Sequence, residues 1–212
     1  MAVNGKVLGD PKPVKVKNEN DRSIALFVRY RQFRYLLDGD LGAGPEKCTD
    51  HQTNQVDVET RVAHALIAQQ LIDPKRGVDV LHIAHHGSES STSAAYYNLM
   101  KPEVGLISVG LNQGSFLHPR EDVVDKVLIG DKRAACVTAP PLKALFQTED
   151  GVKGCSSTGC TSFTGLSVGD IQLTTDGEHD FKITGDNRVH DGSSKEAPLN
   201  KVWDFPLTAT SR

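Results

Sequence analysis

No apolar stretch in this chain approaches the ~18 residues that a membrane-spanning helix needs. The first twenty residues mix Gly, Pro, Lys and Asn and contain no apolar signal core. Neither a membrane segment nor a secretory signal is therefore expected, and the compartment stays open. Aromatic residues are scarce, at 6% with a single Trp, and hydrophobic residues reach only 38%. Neither sign of charge dominates: 24 Lys and Arg face 27 Asp and Glu, a formal net charge of −3. Such a balance gives no global basic face of the kind nucleic-acid-binding domains carry. Arg29, Arg31 and Arg34 cluster, but at a turn, where a solvated hairpin end is the simplest reading. The 4 cysteines, Cys48, Cys136, Cys155 and Cys160, lack the close pairs of a zinc knuckle. Cys155 and Cys160 bracket Ser-Ser-Thr-Gly, and spacing alone leaves open a small disulfide loop or two plain thiols. Also missing are any His-x-His pair and any H-E-x-x-H helix signature.

What remains suits a single domain with a small appendage, rich in turns given 19 Gly and 10 Pro. Residues 1–20 read as irregular or edge structure. Ser23 to Tyr30 and Phe33 to Leu37 are rich in strand formers around a short polar break and predict a hairpin. Gly42 to Gln55 reads as a polar loop. Val58, Val62, Ala65 and Leu66 then recur at helical spacing behind Asp57 and Glu59. Val78–Ala84 and Val104–Val109 are apolar and β-branched, as buried strands should be. Between them the spacing predicts a helix over Ala94–Met100, stopped by Pro102. Pro119 followed by Glu121 and Asp122 opens a further helix running to about Ile129. Ala134–Thr138 is read as another strand. Alternating helix and strand over residues 56–138 argues for a layered α/β sheet. Beyond it, Ala144–Thr148, Ile171–Thr175 and Asp180–Thr184 read as short strands, and 186–212 as a loosely attached polar tail anchored only by Trp203 and Phe205.

Two strands end in residues that bind metals. Leu36-Leu37 runs into Asp38-Gly39-Asp40, and Val78–Ala84 runs into His85-His86-Gly87-Ser88. Asp40 at a strand end is the candidate carboxylate ligand. Asp38 competes with it, because the intervening glycine permits a bend that sequence does not define. The two histidines are poorly explained by packing, since a buried imidazole must satisfy both ring nitrogens or lose stability. If the strand stays extended, they point to opposite faces and only one meets the site directly; the other then orients it through its ring N–H. His82 is read as a strand residue facing solvent or a helix. Asn112 and His118-Pro119 follow the Val104–Val109 strand. Proline holds His118 extended, and ligands gather beyond the C-terminal ends of parallel strands.

These elements together carry a resemblance. Asn20-Asp21-Arg22-Ser23, Leu37-Asp38-Gly39-Asp40, Ala84-His85-His86-Gly87-Ser88 with Ser91, Ile107-Ser108-Val109-Gly110, Asn112 and His118-Pro119 occur in the order found in metallo-β-lactamase-fold hydrolases. More narrowly, the chain is similar to the ComEC-like group, which contains the soluble domain of a DNA-uptake channel protein. The resemblance spans roughly residues 18–148. It implies half of a metallo-β-lactamase αββα sandwich, a mixed sheet with flanking helices, over 1–148. A β-rich C-terminal extension (149–185) and the polar tail (186–212) follow. Asp40 then takes the bridging metal-ligand role, and His85 or His86 the terminal one. Asp40 and His86 are the catalytic pair, while Ser88, Ser108, Asn112 and His118 line the substrate. One or two Zn²⁺ or Mn²⁺ ions, and hydrolysis of a small-molecule or nucleic-acid phosphoester by a metal-bound hydroxide, are the implied chemistry. The family's upstream H-x-H-x-D-H-like segment has no counterpart, since residues 1–17 contain no histidine. Asp38 also stands where that motif usually has a small or hydroxyl residue. The expected whole is thus a C-terminal portion whose metal site lacks ligands from an N-terminal half. Rival readings are a degenerate, non-catalytic module completed by a partner chain, and a non-metal α/β protein with an incidental histidine pair.

Overall fold

The structure, a computed structural model, describes residues 1–49, 53–111, 116–129, 132–151, 166–185, 189–190, 196–197 and 202–207. Its strands in chain order are β1 (Ala2–Val3), β2 (Lys6–Val7), β3 (Leu26–Tyr30), β4 (Phe33–Leu37), β5 (Val80–His82), β6 (Val104–Ile107), β7 (Ala144–Gln147), β8 (Leu166–Ser167), β9 (Ile171–Thr175), β10 (Asp180–Gly185), β11 (Val189–His190), β12 (Glu196–Ala197) and β13 (Trp203–Pro206). Helices α1 (Glu59–Ala68) and α2 (Ala94–Met100) flank β5, and a third, α3 (Glu121–Val123), widens into a π-turn over Val124–Leu128.

The principal sheet is mixed, in the order β12-β11-β8-β7-β6-β5-β4-β3. Strands β4 to β8 run parallel, and β3 closes one edge antiparallel to β4 through the predicted hairpin. Alternation along each strand sends side chains to two different layers. Leu36, Leu81, Ile83, Ile107 and Leu145 pack against Val62 and Leu66 of α1, Tyr96, Tyr97 and Met100 of α2, and Val123 to Leu128. On the opposite face Phe33, Val80, Val104, Leu106 and Phe146 meet a second, three-stranded sheet of order β13-β10-β9 through Phe181, Ile183 and Leu207. The architecture is therefore helices, mixed sheet, small sheet, a layered α/β arrangement compatible with a sandwich. Among the described residues no helix is long and apolar enough to cross a membrane.

Local chemistry explains the helix starts. Asp57 accepts the Thr60 N–H at 2.9 Å ahead of α1. Ser93 caps α2 through the Tyr96 N–H at 3.2 Å, and Glu46 accepts from the Ala94 and Ala95 amides at 2.9 and 3.3 Å. A carboxylate on the free N–H groups of a helix start satisfies orphan donors and complements the dipole.

Two sequence expectations fail here. Residues 134–138 do not form a strand: the Cys136 carbonyl and the Thr138 and Ala139 amides bond to the Asn98 side chain instead. Cys136 is tied to Cys48 by a disulfide, with Cα atoms 6.2 Å apart. The Cys155 and Cys160 pairing lies outside the described residues. Nor is the tail merely loose, since Trp203 to Pro206 pairs antiparallel with β10. Trp203 packs 5.0 Å from Phe146, and Phe205 stacks 5.1 Å from Phe181. Aromatic area of this kind anchors a strand whose sequence is otherwise polar.

Candidate active site at the ends of the parallel strands

The C-terminal ends of β4, β5 and β6 lie side by side in the parallel ladder, with Leu37 opposite His82 and His82 opposite Leu106. Each chain leaves the sheet here, and the exits decide which side chains meet.

After β4 the ambiguity between two acids is resolved. Asp38 points inward, fully buried, and accepts a short hydrogen bond from the Tyr96 hydroxyl. Burial pushes its carboxyl up to about 7, opposed by the Tyr96 bond and the Met1 ammonium. Gly39 turns the chain at φ 57° and Asp40 emerges half-exposed, its amide held by Ser23 Oγ at 3.1 Å.

After β5 the backbone does not stay extended. His85 (φ 50°, ψ 41°) and His86 (φ 56°, ψ 24°) are both left-handed, and Gly87 follows at φ 75°. Each non-glycine residue in that region costs about 1–2 kcal/mol. Surrounding bonds hold the turn: His85 N–H to the Gly39 carbonyl at 2.8 Å, Ser88 N–H to the His85 carbonyl at 2.9 Å, and Ser91 Oγ to the Ala84 carbonyl at 2.8 Å. The expectation that the two rings oppose each other across a strand is thereby overturned. Ring centroids lie 6.3 Å apart for His85 and His86, 5.6 Å for His85 and His118, and 6.2 Å for His86 and His118. Three imidazoles thus share one locality.

Their partners differ. His86 Nδ1 donates to the Ser108 carbonyl at 2.6 Å, and its Nε2 stands 3.7 Å from Asp40 Oδ1. His85 has both ring nitrogens engaged: Nε2 with the Asn20 amide at 3.3 Å, Nδ1 with Ser90 Oγ at 2.9 Å and Gln55 Oε1 at 3.3 Å. His82 is half-buried on the small-sheet side of β5 and bonds Ser108 Oγ at 2.9 Å, so it does not face the helical layer. Burial lowers the His82 and His85 rings from their ordinary value. Burial, reinforced by His85, takes His118 down to about 4. Burial thus favours the neutral form of His82, His85 and His118.

His118, expected to project from its loop, is instead buried, and its Nδ1 has no hydrogen-bond partner. Its bond to Pro119 is cis. Gly87 makes this packing feasible: a Cβ there would stand 2.7 Å from Pro119 Cβ. Ser88 is buried in the turn beside Ser90 Oγ at 3.0 Å, and Ser108 is exposed with its carbonyl and hydroxyl shared between two histidines. Asn112 lies outside the described residues. Sequence reasoning missed Gln55 and singled out neither Glu89, Arg120 nor Phe116. No local spacing marks them, because each reaches the site through a loop.

Beside them lies a cleft of about 590 Å³ whose polar lining includes Asn20, Asn54, His85, Phe116, His118 and Arg120 but neither Asp40 nor His86. Asp21 secures its wall, accepting from Lys17 N–H at 2.8 Å on one oxygen and Val56 N–H at 3.1 Å on the other.

The donor set bears on a metal. Two zinc ligands at ~2.0–2.1 Å and a tetrahedral to trigonal angle stand roughly 3.4–3.6 Å apart, close to the Asp40 to His86 separation. The Ser108 carbonyl on His86 Nδ1 is the orienting contact that metal-binding histidines use. His118 Nδ1 is buried without a hydrogen-bond partner, in a ring whose centroid lies 6.2 Å from that of His86. As placed, no three His, Cys, Asp or Glu side chains among the described residues form a closed ligand group. Comparison with known proteins finds no matching family model, and no curated protein or solved structure matches significantly either.

Proposed function

We propose that this chain belongs to a metal-dependent hydrolase related to the metallo-β-lactamase superfamily, ComEC-like, acting on a phosphoester. The observation that carries the reading is the pairing of Asp40 Oδ1 with His86 Nε2 at 3.7 Å, on strand ends that also bring in His85 and His118. Asp40 and His86 would hold one Zn²⁺ or Mn²⁺ ion, and the orphaned His118 Nδ1 is the natural third donor. His85, with both nitrogens occupied, orients the turn and lines the cleft. A bound divalent ion supplies Lewis-acid activation of water and charge stabilisation at the reacting ester.

The chain's own groups do the rest. Burial favours the neutral His118 ring, whose lone pair needs no deprotonation, and the Ser108 carbonyl holds the proton on His86 Nδ1. Catalytic zinc sites commonly use about three protein ligands, so this set supports one weakly held ion and slow turnover. Cleavage of bis(4-nitrophenyl) phosphate tests the reading. Slow hydrolysis that requires added Zn²⁺ or Mn²⁺ and disappears in Asp40→Asn and His86→Ala is the expected result. Hydrolysis indifferent to metal or to both substitutions contradicts it.

A second reading, a non-catalytic module completed by another chain, draws on one observation. Strand β3 ends the principal sheet with Leu26, Val28 and Tyr30 exposed, beside an apolar groove lined by Val3, Leu8 and Ile24. An apolar edge strand is a template for further pairing. Metal uptake with no hydrolysis of any phosphoester would favour it.

A further inference from the structure

The resemblance leaves two kinds of substrate open, a small molecule or a nucleic-acid strand, and the cleft itself distinguishes them. Phe116 is 68% exposed, the most exposed large apolar side chain among the described residues. A lone surface phenylalanine needs no explanation, but this one stands in the lining of the polar cleft. Its ring is stacked on His118, with centroids 5.9 Å apart and planes 28° from parallel. His118 is buried against His85 and His86, so the phenyl ring is braced against the site. Aromatic rings gain from offset stacking with a second planar group.

The charge balance of the same cleft is the second observation. Arg120 is the one Lys or Arg in its described lining, and Glu89 in that lining stands 3.4 Å from Arg120 Nε. That contact is an ion pair without a hydrogen bond, since Nε has no acceptor. The rest of the polar lining is amide, hydroxyl and imidazole: Asn20, Thr53, Asn54, Ser88 and Ser90 with His85 and His118. A nucleic-acid strand is held by several cations that neutralise successive phosphates. A single guanidinium that already faces one carboxylate suits at most one further anionic group, which it would meet with charge-assisted hydrogen bonds.

We propose that Phe116 is a stacking platform for a planar ring, and that this cleft takes a small ester bearing such a ring beside one anionic group, not a strand of nucleic acid. The inference rests on the hydrolase reading for the word ester, while ring and anion recognition belong to this chain with or without a metal. Phe116 contacts the ring, Arg120 the anion, and the ester then lies against His85 and His118, the two histidines that line the cleft.

Calorimetric titration of the full chain in EDTA, with three probes, tests this apart from the metal. Adenosine 5′-monophosphate should bind about tenfold or more tightly than ribose 5-phosphate, the range that base–aromatic stacking supplies. Phe116→Ala should erase that advantage while Phe116→Tyr retains it, with unchanged circular dichroism showing that both variants fold. A twenty-residue oligothymidylate should bind no tighter than the mononucleotide, with an affinity falling by roughly the first power of salt concentration or less. Equal binding of the two monophosphates, an unaffected Phe116→Ala, or much tighter oligothymidylate binding with a steep salt dependence would each overturn the proposal. Because EDTA is present throughout, failure of metal uptake elsewhere leaves these outcomes unchanged.

Discussion

Asp38→Asn should make this protein more tolerant of alkaline pH. Asp38 is fully buried behind the strand end, where burial raises its carboxyl from 3.8 to about 7 despite the Tyr96 hydroxyl bond and the Met1 ammonium. In the unfolded chain the same group ionises near its ordinary value. Between those two values the unfolded state has lost the proton and the folded state has kept it. Stability is therefore fully present below about pH 3.8, falls as pH rises, and levels off above about 7. The displacement from 3.8 to about 7 corresponds to about 4 kcal/mol, an upper bound reached at alkaline pH. Asparagine cannot ionise, yet it offers the Tyr96 hydroxyl a carbonyl acceptor of the same shape. Whatever offset the substitution carries at pH 4, the variant should gain on the wild type by up to about 4 kcal/mol between pH 4 and pH 8.

Urea denaturation of both proteins across that range measures the difference directly. Glu59 is also fully buried, and its carboxyl is likewise raised by burial and by Asp38. The wild-type slope thus contains both groups, and the difference between the two proteins reports Asp38 together with its coupling to Glu59. A difference that is flat with pH, or that shrinks toward pH 8, would refute the assignment of Asp38 as a buried carboxyl held against ionisation.

Other consequences follow from the same geometry. Gly87→Ala forces a Cβ to within 2.7 Å of Pro119 at a backbone φ of 75°, so it should lower stability by about 1–3 kcal/mol in chemical denaturation. It should also shift the His118 ring resonances in NMR; unchanged stability and spectra would remove Gly87 from the account of the turn. The disulfide between Cys48 and Cys136 closes an 88-residue separation, so paired Cys48→Ser and Cys136→Ser should cost on the order of 4 kcal/mol by the chain-entropy argument. Equal unfolding midpoints with and without a reductant would contradict that cross-link.

Much of this architecture was legible in residue order. The hairpin, the helix after Asp57 and the Val80 and Val104 strands announced themselves through β-branched runs, helical spacing and acids at helix starts. Failures came where a tertiary contact outbid local preference. Ala-Ala-Cys-Val-Thr reads as a strand, but the Asn98 amide takes the backbone groups a ladder would use. Trp203 and Phe205 sit in polar sequence, and only the facing Phe146 and Phe181 make them a strand. At the candidate site, residue types marked the two strand ends but not the shape of the chain between them. Choosing between Asp38 and Asp40 required knowing that Tyr96 lies below the sheet end. The left-handed backbone at His85 and His86 is imposed by bonds from Gly39, Ser88 and Ser91, and no propensity of histidine announces it.

Equilibrium dialysis of the full chain against Zn²⁺, followed by elemental analysis, tests the central proposition most directly. Asp40, His86 and His118 should retain up to one weakly bound zinc per chain at saturating metal, and Asp40→Ala with His86→Ala should abolish it while leaving the fold intact. Uptake by the wild type no greater than by that double variant would contradict the account.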